Sequence, residues 1–549
     1  MATENTAPSA PVQDPANGAI KEITPHNHPK GGVRQISMMA MAIMIVTTIV
    51  SMRGLASQAE FGFTSIFYYV FAALVFLVPY ALVCAELAST YTHSGGVFRW
   101  VSEAFGTRLG WLSMYLDWQM VVIWFPAVLM FGAVSLAYVF WPEAFDAHLA
   151  ANRLYTLLIV LGVYWICTFN TFRGMKYANK LSTLGGLCGT IIPAAVLIVM
   201  GVVYLILGKT VYLPLHNSFW PDFSHFSTIV LAASIFLFYA GMEIQAVQVP
   251  AMKNPSKNFP KSVFIAALII LAIFILGTLA IGVVIPESKI NLLQSLLVAY
   301  DDLWASIGAP WLGNIMAVLI TFGVLGQVSV VIAGPSTGIL AVGKAGYLPK
   351  TLQHTNKNGI QTTILYVQAA IVTLLSLVLV LLPSVESAYQ ILSQMSTIIY
   401  LIMVVIIYCA FVRLRRTAPD KARGFKVPGG EFGKWLVTIV GVAGAVVAGV
   451  LSFVPPSQIK TGSPVVYVGV LIIGVVVFIA IPLIVYAKRK KSWRDPGASF
   501  YPFDWQIEGR KPSEVSRWPK GYQPSDQEIQ AAYDKENASA IQNSDSLKL

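Results

Sequence analysis

The sequence predicts an all-α membrane protein of about twelve transmembrane helices, on three observations. Of its 549 residues, 56% are apolar and only 11% charged. Apolar runs of bilayer length recur from Ile36 to Ala487, and basic residues collect in every second loop between them. So little charge cannot cover a soluble globule of this size, so lipid must solvate much of the surface. A bilayer core of about 30 Å asks roughly 20 apolar residues of a helix.

The spans expected are 36–60, 63–88, 108–141, 153–171, 178–207, 226–250, 261–285, 310–342, 361–383, 390–413, 433–455 and 463–487. No intervening loop is large enough for a soluble domain. Residues 1–33 are polar and lack the apolar stretch of a signal peptide, so the first helix is expected to act as the insertion signal and 1–33 to be mostly disordered. Cys84, Cys167, Cys188 and Cys409 all fall within spans, where a thiol behaves as a small apolar group.

Loop charge sets the expected topology. Lys21, Lys30 and Arg34 precede span 1; Arg99 and Arg108 follow span 2; Arg173 and Lys176 follow span 4; Lys253, Lys257 and Lys261 follow span 6. The pattern continues with Lys344, Lys350 and Lys357, then Arg413 to Lys426, then Lys488 to Lys491. Every cluster thus precedes span 1 or follows an even-numbered span, which places both termini in the cytoplasm by the positive-inside rule. The net charge of +11 therefore reports membrane orientation rather than a nucleic-acid partner.

Two spans carry interruptions: Ser51-Met52-Arg53-Gly54 in span 1 and Tyr239-Ala240-Gly241-Met242-Glu243 in span 6. A charged group at a helix centre costs about 2.5–3.5 kcal/mol on the insertion scale unless it faces a polar cavity. Breaks five spans apart, at matching places, point to a transporter built from two inverted five-helix repeats, about 36–207 and 226–413, with spans 11 and 12 (433–487) as extra helices. Unwound backbone must line a water-filled site. A zwitterionic amino acid suits one, because half-helix N-termini bind carboxylates and half-helix C-termini bind ammonium groups.

Residues 488–549 form a tail expected to be cytoplasmic. Trp493, Phe500, Tyr501, Phe503, Trp505, Trp518 and Tyr522 are too many aromatics for a disordered segment, so 493–522 is expected to fold against the cytoplasmic face and 523–549 to be mobile.

Ala85-Glu86-Leu87, Gly95-Gly96-Val97-Phe98, Gly241-Met242-Glu243, Asn254-Pro255, Gly334-Pro335-Ser336, Asn356-Lys357-Asn358-Gly359, Val427-Pro428-Gly429-Gly430 and Ser452-Phe453-Val454-Pro455-Pro456 occur in this order along the chain. Through them the chain resembles the glutamate/GABA antiporter group of the amino acid–polyamine–organocation superfamily over nearly all of 34–487. The resemblance implies a LeuT-like fold, alternating access around broken helices 1 and 6, and location in a bacterial plasma (inner) membrane. It also implies exchange of an amino acid for its decarboxylated amine, which would support acid resistance, and a C-terminal segment that plugs the inward path at neutral pH. By resemblance Gln327 and Tyr400 face the site, and Glu243 occupies a family position suited to coupling or gating.

The chain departs from that group in two places. It reads Arg53-Gly54 where those exchangers carry a Tyr-Glu pair, and Gln327 where a carboxylate is expected. The guanidinium of Arg53 could hold a substrate's acidic group through two donors, or form an internal pair with Asp117 in span 3. The expected site is therefore Ser51, Met52, Arg53, Gly54, Tyr239, Ala240, Gly241, Glu243, Gln327 and Tyr400, with Glu243 and Asp117 in coupling or gating. Glu86 is read as structural.

No CxxC, HExxH or nucleophile–base constellation speaks for an enzyme, and no cofactor or metal is expected; His26 and His28 read as solvated. Three functions remain open: exchange, best with glutamate or another acidic amino acid; proton-coupled uptake of a neutral or other amino acid; and nutrient sensing by a transporter-like receptor. Partners are amino acids, amines and the bilayer.

Overall fold

Helices account for the regular structure that the computed structural model describes, namely residues 36–514 without 94, 141–142, 175–180, 182–183, 214–218, 222–229, 247–248, 250–251, 457–462, 496–501 and 510, together with Gln527 and Ala531. The expectations for 1–33 and 523–549 thus fall almost wholly outside the described residues.

Among the described residues, ten helices are long and apolar enough to cross a membrane: Thr64–Thr90, Thr107–Ala137, Arg153–Thr171, Leu184–Ile206, Pro255–Val284, Trp311–Tyr347, Thr362–Leu381, Val385–Thr417, Gly430–Leu451 and Pro464–Ala487. The pair Met38–Ile49 and Arg53–Ala59, bent by 66°, makes up to eleven. Each matches one span expected from sequence. Of the remaining one, 226–250, the described residues include helices Ser234–Phe238 and Met242–Ala246, while 226–229, 247–248 and 250 lie outside them.

Local chemistry starts the helices where the apolar runs begin. The Ser37 hydroxyl accepts from Ala40 N (3.2 Å), Asn152 Oδ1 from Leu154 N and Tyr155 N (3.0 and 3.1 Å), and Ser384 Oγ from Ser387 N (3.1 Å). Each pairing satisfies an N–H that the first helical turn leaves open. Pro255 and Pro464 open spans 7 and 12, where proline's missing N–H costs nothing.

Burial ranks the helices from centre to edge. The most apolar windows of spans 3 and 10 are 89% and 72% buried, whereas those of spans 11 and 12 are 28% and 17% buried. Spans 3 and 10 are therefore central pillars, and the last two helices turn most of their surface outward. Spans 5 and 8 touch backbone to backbone: a Cβ added at Gly189 would sit 2.2 Å from Gly323 Cα, the close approach that small residues permit between membrane helices.

Glu86 locks one end of the bundle. It ends span 2, is 2% exposed, accepts from Arg415 Nη2 (2.6 Å) and Val427 N (2.7 Å), and is ion-paired with Arg423 (Nε 2.9 Å away). The motifs at 85–87 and 427–430 thus meet at one carboxylate, in the structural role expected of Glu86. Near it the amphipathic helix Gly96–Phe105 carries the tail. Trp505 Nε1 donates to Ser102 O (3.1 Å), and Arg99 Nη2 to Pro502 O (2.9 Å). Replacing Glu86 by Ala leaves two buried guanidinium groups without their carboxylate, and should lower stability by about 3–5 kcal/mol, read as a large drop in melting temperature in detergent.

Candidate substrate site

The two interruptions face each other. In span 1 the helix stops at Ile49, Val50 is extended (φ −65°, ψ 122°), and helix resumes at Arg53. In span 6, Tyr239 to Gly241 separate the two short helices, and Gly241 has φ +110°, which favours glycine. The unwound stretches are thus Val50–Met52 and Tyr239–Gly241. Arg53-Gly54 and Met242-Glu243, expected inside the breaks, instead begin the second half-helices.

Hydrogen bonds tie the four half-helices crosswise. Gln245 Nε2 donates to Thr48 Oγ1 (2.6 Å), joining the first half of span 1 to the second half of span 6. Gln58 Nε2 donates to Ser234 Oγ (3.2 Å), joining the complementary halves. Contact is tight enough that a Cβ at Gly54 would lie 2.6 Å from the Phe238 ring.

Arg53 is buried at 3% exposure, with its guanidinium carbon 5.3 Å from the Trp124 ring centroid and 5.9 Å from that of Phe238. Its Nε and Nη1 are buried without a hydrogen-bond acceptor. Aromatic faces ease the placement of the cation, yet two donors remain unmet. No ion pair joins Arg53 to Asp117. Asp117 is half-buried and lies within electrostatic reach of Glu243 instead.

Glu243 begins the second half of span 6. Its Oε2 accepts from Tyr400 Oη (3.1 Å), while Oε1 is buried without a partner. The same tyrosine oxygen accepts from Gly241 N (3.3 Å), so Tyr400 links span 10 to the break itself. Ser51 is half-buried and Met52 buried beside Arg53, and Ala240 is half-buried. Tyr239 points elsewhere: its hydroxyl donates to Tyr69 O (3.0 Å) and its ring stacks on Phe274 (5.8 Å), which anchors the break to spans 2 and 7. Gln327 is half-buried in span 8, and no hydrogen bond joins it to Arg53, Glu243 or Tyr400.

Sequence reasoning named Tyr400 but missed other polar groups on spans 3 and 10. Tyr389, Ser393, Ser396 and Tyr400 stand at i, i+4, i+7 and i+11, one face of a helix. Tyr389 lies within electrostatic reach of Arg53, and Ser396 Oγ donates to Met120 O (2.9 Å). Gln119 and Gln394 each bury both amide atoms without a partner. Buried polar groups normally pair, so several unmet ones near two unwound segments mark a place for a polar guest. The signal was present as a polar stripe in an apolar run, which reading for charge alone overlooks. Among the described residues, no three His, Cys, Asp or Glu side chains converge to hold a metal ion.

Gly54→Ala should destabilise the protein by about 1–3 kcal/mol through overpacking. Thermal melting should show most of that loss recovered when Phe238→Leu is added.

A model of the amino acid permease family matches residues 36–478. An uncharacterized transporter of Legionella pneumophila is 36% identical over 463 residues, covering 84% of this chain and 98% of that protein. A glutamate/gamma-aminobutyrate antiporter of Lactococcus lactis is 27% identical over 467 residues, covering 84% and 92%. A probable agmatine/putrescine antiporter of the same species is 23% identical over 408 residues, covering 73% and 84%. With a helical membrane bundle, two facing helix breaks and a family match across both, the chain belongs to the amino acid permease family and is a transporter rather than an enzyme.

Proposed function

We propose that the chain is an antiporter of the plasma membrane that exchanges glutamate, or another acidic amino acid, for its decarboxylated product. Its twelve spans would form two inverted five-helix repeats plus two helices, with both termini cytoplasmic. The observation that carries this reading is Arg53, a buried cation with two unmet donors at the start of a half-helix. A carboxylate accepts both donors of such a fork, and in a dry site the pairing removes the cost of leaving them unmet. The relatives named for glutamate and gamma-aminobutyrate support an acidic substrate, although that group carries a Tyr-Glu pair where this chain has Arg53-Gly54. Glutamate decarboxylation consumes a proton, so exchange against the amine product would raise internal pH and support acid resistance.

Exchange of labelled glutamate in proteoliposomes preloaded with gamma-aminobutyrate tests the assignment. A charged hydrogen bond contributes about 1.5–3 kcal/mol, so Arg53→Ala should reduce exchange roughly tenfold to more than a hundredfold. Arg53→Lys, lacking the fork, should recover only part. Uptake confined to neutral or basic amino acids would overturn the acidic substrate. Uptake independent of any internal amine would instead favour proton-coupled transport, for which the neighbouring carboxyl groups of Glu243, buried, and Asp117, half-buried, would be the candidates to carry the proton.

We infer that the tail closes the cytoplasmic side, a reading that its contacts support. Asp504 pairs with Lys421, and its N–H donates to Glu103 Oε2 (3.1 Å); Phe503 is buried beneath Arg99, whose guanidinium carbon lies 4.7 Å from its ring centroid. Burial, helped by Arg99 and Lys421, lowers His93 to about 4. Burial raises Glu103 to about 7, with Asp504 adding to it against Arg99 and Lys421. Burial pushes Asp504 up, but Lys421 and Arg99 outweigh it and hold the group below 3.8. Tyr91 and Arg423 complete the charged surroundings.

With the tail lifted these groups regain water, and the loss of burial, the largest cause of the His93 and Glu103 shifts, returns those two toward their ordinary values. The docked tail then gains stability from Glu103 as pH falls from 7 to 4.5, because the docked carboxyl binds the proton first. It loses stability through His93 as pH falls from 6.5 to 4, because the lifted imidazole binds the proton first. The two nearly cancel between 4.5 and 6.5; from 4.5 to 4 His93 only returns docking to its strength above pH 7, and below 3.8 Asp504 weakens it further. Wild-type tail should therefore lift only below about pH 3.8. Protease accessibility of the tail against pH checks this: Glu103→Gln should move release up to between 6.5 and 4, and His93→Gln should make acid tighten the tail down to 4.5.

A further inference from the structure

Neither the exchange reading nor the tail accounts for a groove of about 890 Å³ on the outer side of the bundle, between the last turns of span 10 and the outward face of span 11. Cys409, Val412, Arg413 and Arg416 form one wall. The other is a single helix face, Trp435, Ile439, Val442 and Val446, at i, i+4, i+7 and i+11. Ile439 is 61% exposed and Val446 49%, so this wall looks into the surroundings of the bundle and not into its core.

Length and charge both point to one occupant. From Trp435 to Val446 a helix rises about 16 Å, roughly half of a 30 Å bilayer core, which is the depth of a single leaflet. Charge sits at one end only. Arg416 is exposed and makes no hydrogen bond or ion pair among the described residues. Arg413 uses Nε on Ala104 O (2.6 Å) and Nη2 on Pro512 O, which leaves Nη1. The nearby acid, Glu431, is paired with Lys434, and Arg415 is held by Glu86, so the charge left over is positive. Trp435 lies at that same end, and tryptophan favours the membrane–water boundary.

We propose that this groove is a binding site for an anionic glycerophospholipid, with the headgroup phosphate at Arg416 and Arg413 and an acyl chain along Trp435 to Val446. A zwitterionic lipid would bring its own cation into a place that already has excess positive charge, so selectivity for a net negative headgroup follows. A free phosphate would leave the apolar wall unused. Because Arg413 also holds Pro512, the lipid site and the docked tail meet at one side chain.

The test uses the full chain in nanodiscs carrying acyl-brominated phosphatidylglycerol or acyl-brominated phosphatidylcholine at equal mole fraction. The Trp435 signal is taken as the difference between wild type and Trp435→Phe. Its quenching should show a roughly fivefold preference for the anionic lipid. Arg416→Gln should abolish the preference, and Arg416→Lys should keep most of it. Equal quenching by both lipids in wild type would overturn the site as a selective one. Unchanged preference in Arg416→Gln would overturn its assigned headgroup contact. Neither readout depends on transport, so the lipid site and the exchange reading can fail separately.

Discussion

Backbone polar groups cannot be left open in hydrocarbon, and this chain opens them twice, at Val50–Met52 and Tyr239–Gly241. Each break is tolerable only because the other lies opposite it. Gln245 to Thr48 and Gln58 to Ser234 hold the four half-helices crosswise, and Gly54 lets Phe238 come into direct contact. Much of the rest of the bundle serves this arrangement. Spans 3 and 10 wall it in, Tyr239 fastens it to spans 2 and 7, and Tyr400 satisfies a freed N–H at Gly241.

Two kinds of buried charge result, and their surroundings separate their roles. Glu86 is saturated, taking donors from Arg415, Arg423 and Val427, so moving any one of these groups would strand a buried charge. Arg53 and Glu243 are each left with an unmet polar atom. A carboxylate whose donors are all in place resists motion, whereas polar atoms left open at Arg53 and Glu243 leave room for a further partner. That difference separates the Glu86 lock at the end of the bundle from the groups beside the two breaks, although both consist of arginines and glutamates in apolar helices.

Much of this was legible from sequence. Eleven of the twelve expected spans have a counterpart among the described helices, counting the bent pair as one. Both breaks fall within a few residues of their predicted positions, because glycine and charge inside apolar runs leave a mark in one dimension. Span 6 was legible as an apolar run, of which the described residues include helices Ser234–Phe238 and Met242–Ala246 on either side of its break. Arg53 was legible as a residue needing a partner. Its lack of one was not, since Asp117 is near Glu243 and not Arg53.

The sequence by itself determined that the chain lives in a bilayer, roughly where it crosses, where two crossings break and which charges need explaining. These follow from composition and period, properties of consecutive residues. Only the tertiary structure decided which polar groups end up without partners: Gln119 and Gln394 unmet, Tyr239 turned away from the site, Glu103 and Asp504 brought together across some 400 positions of chain. Whether a buried group is satisfied depends on neighbours from other helices. Pairing at a distance is a property of packing, which no local pattern records.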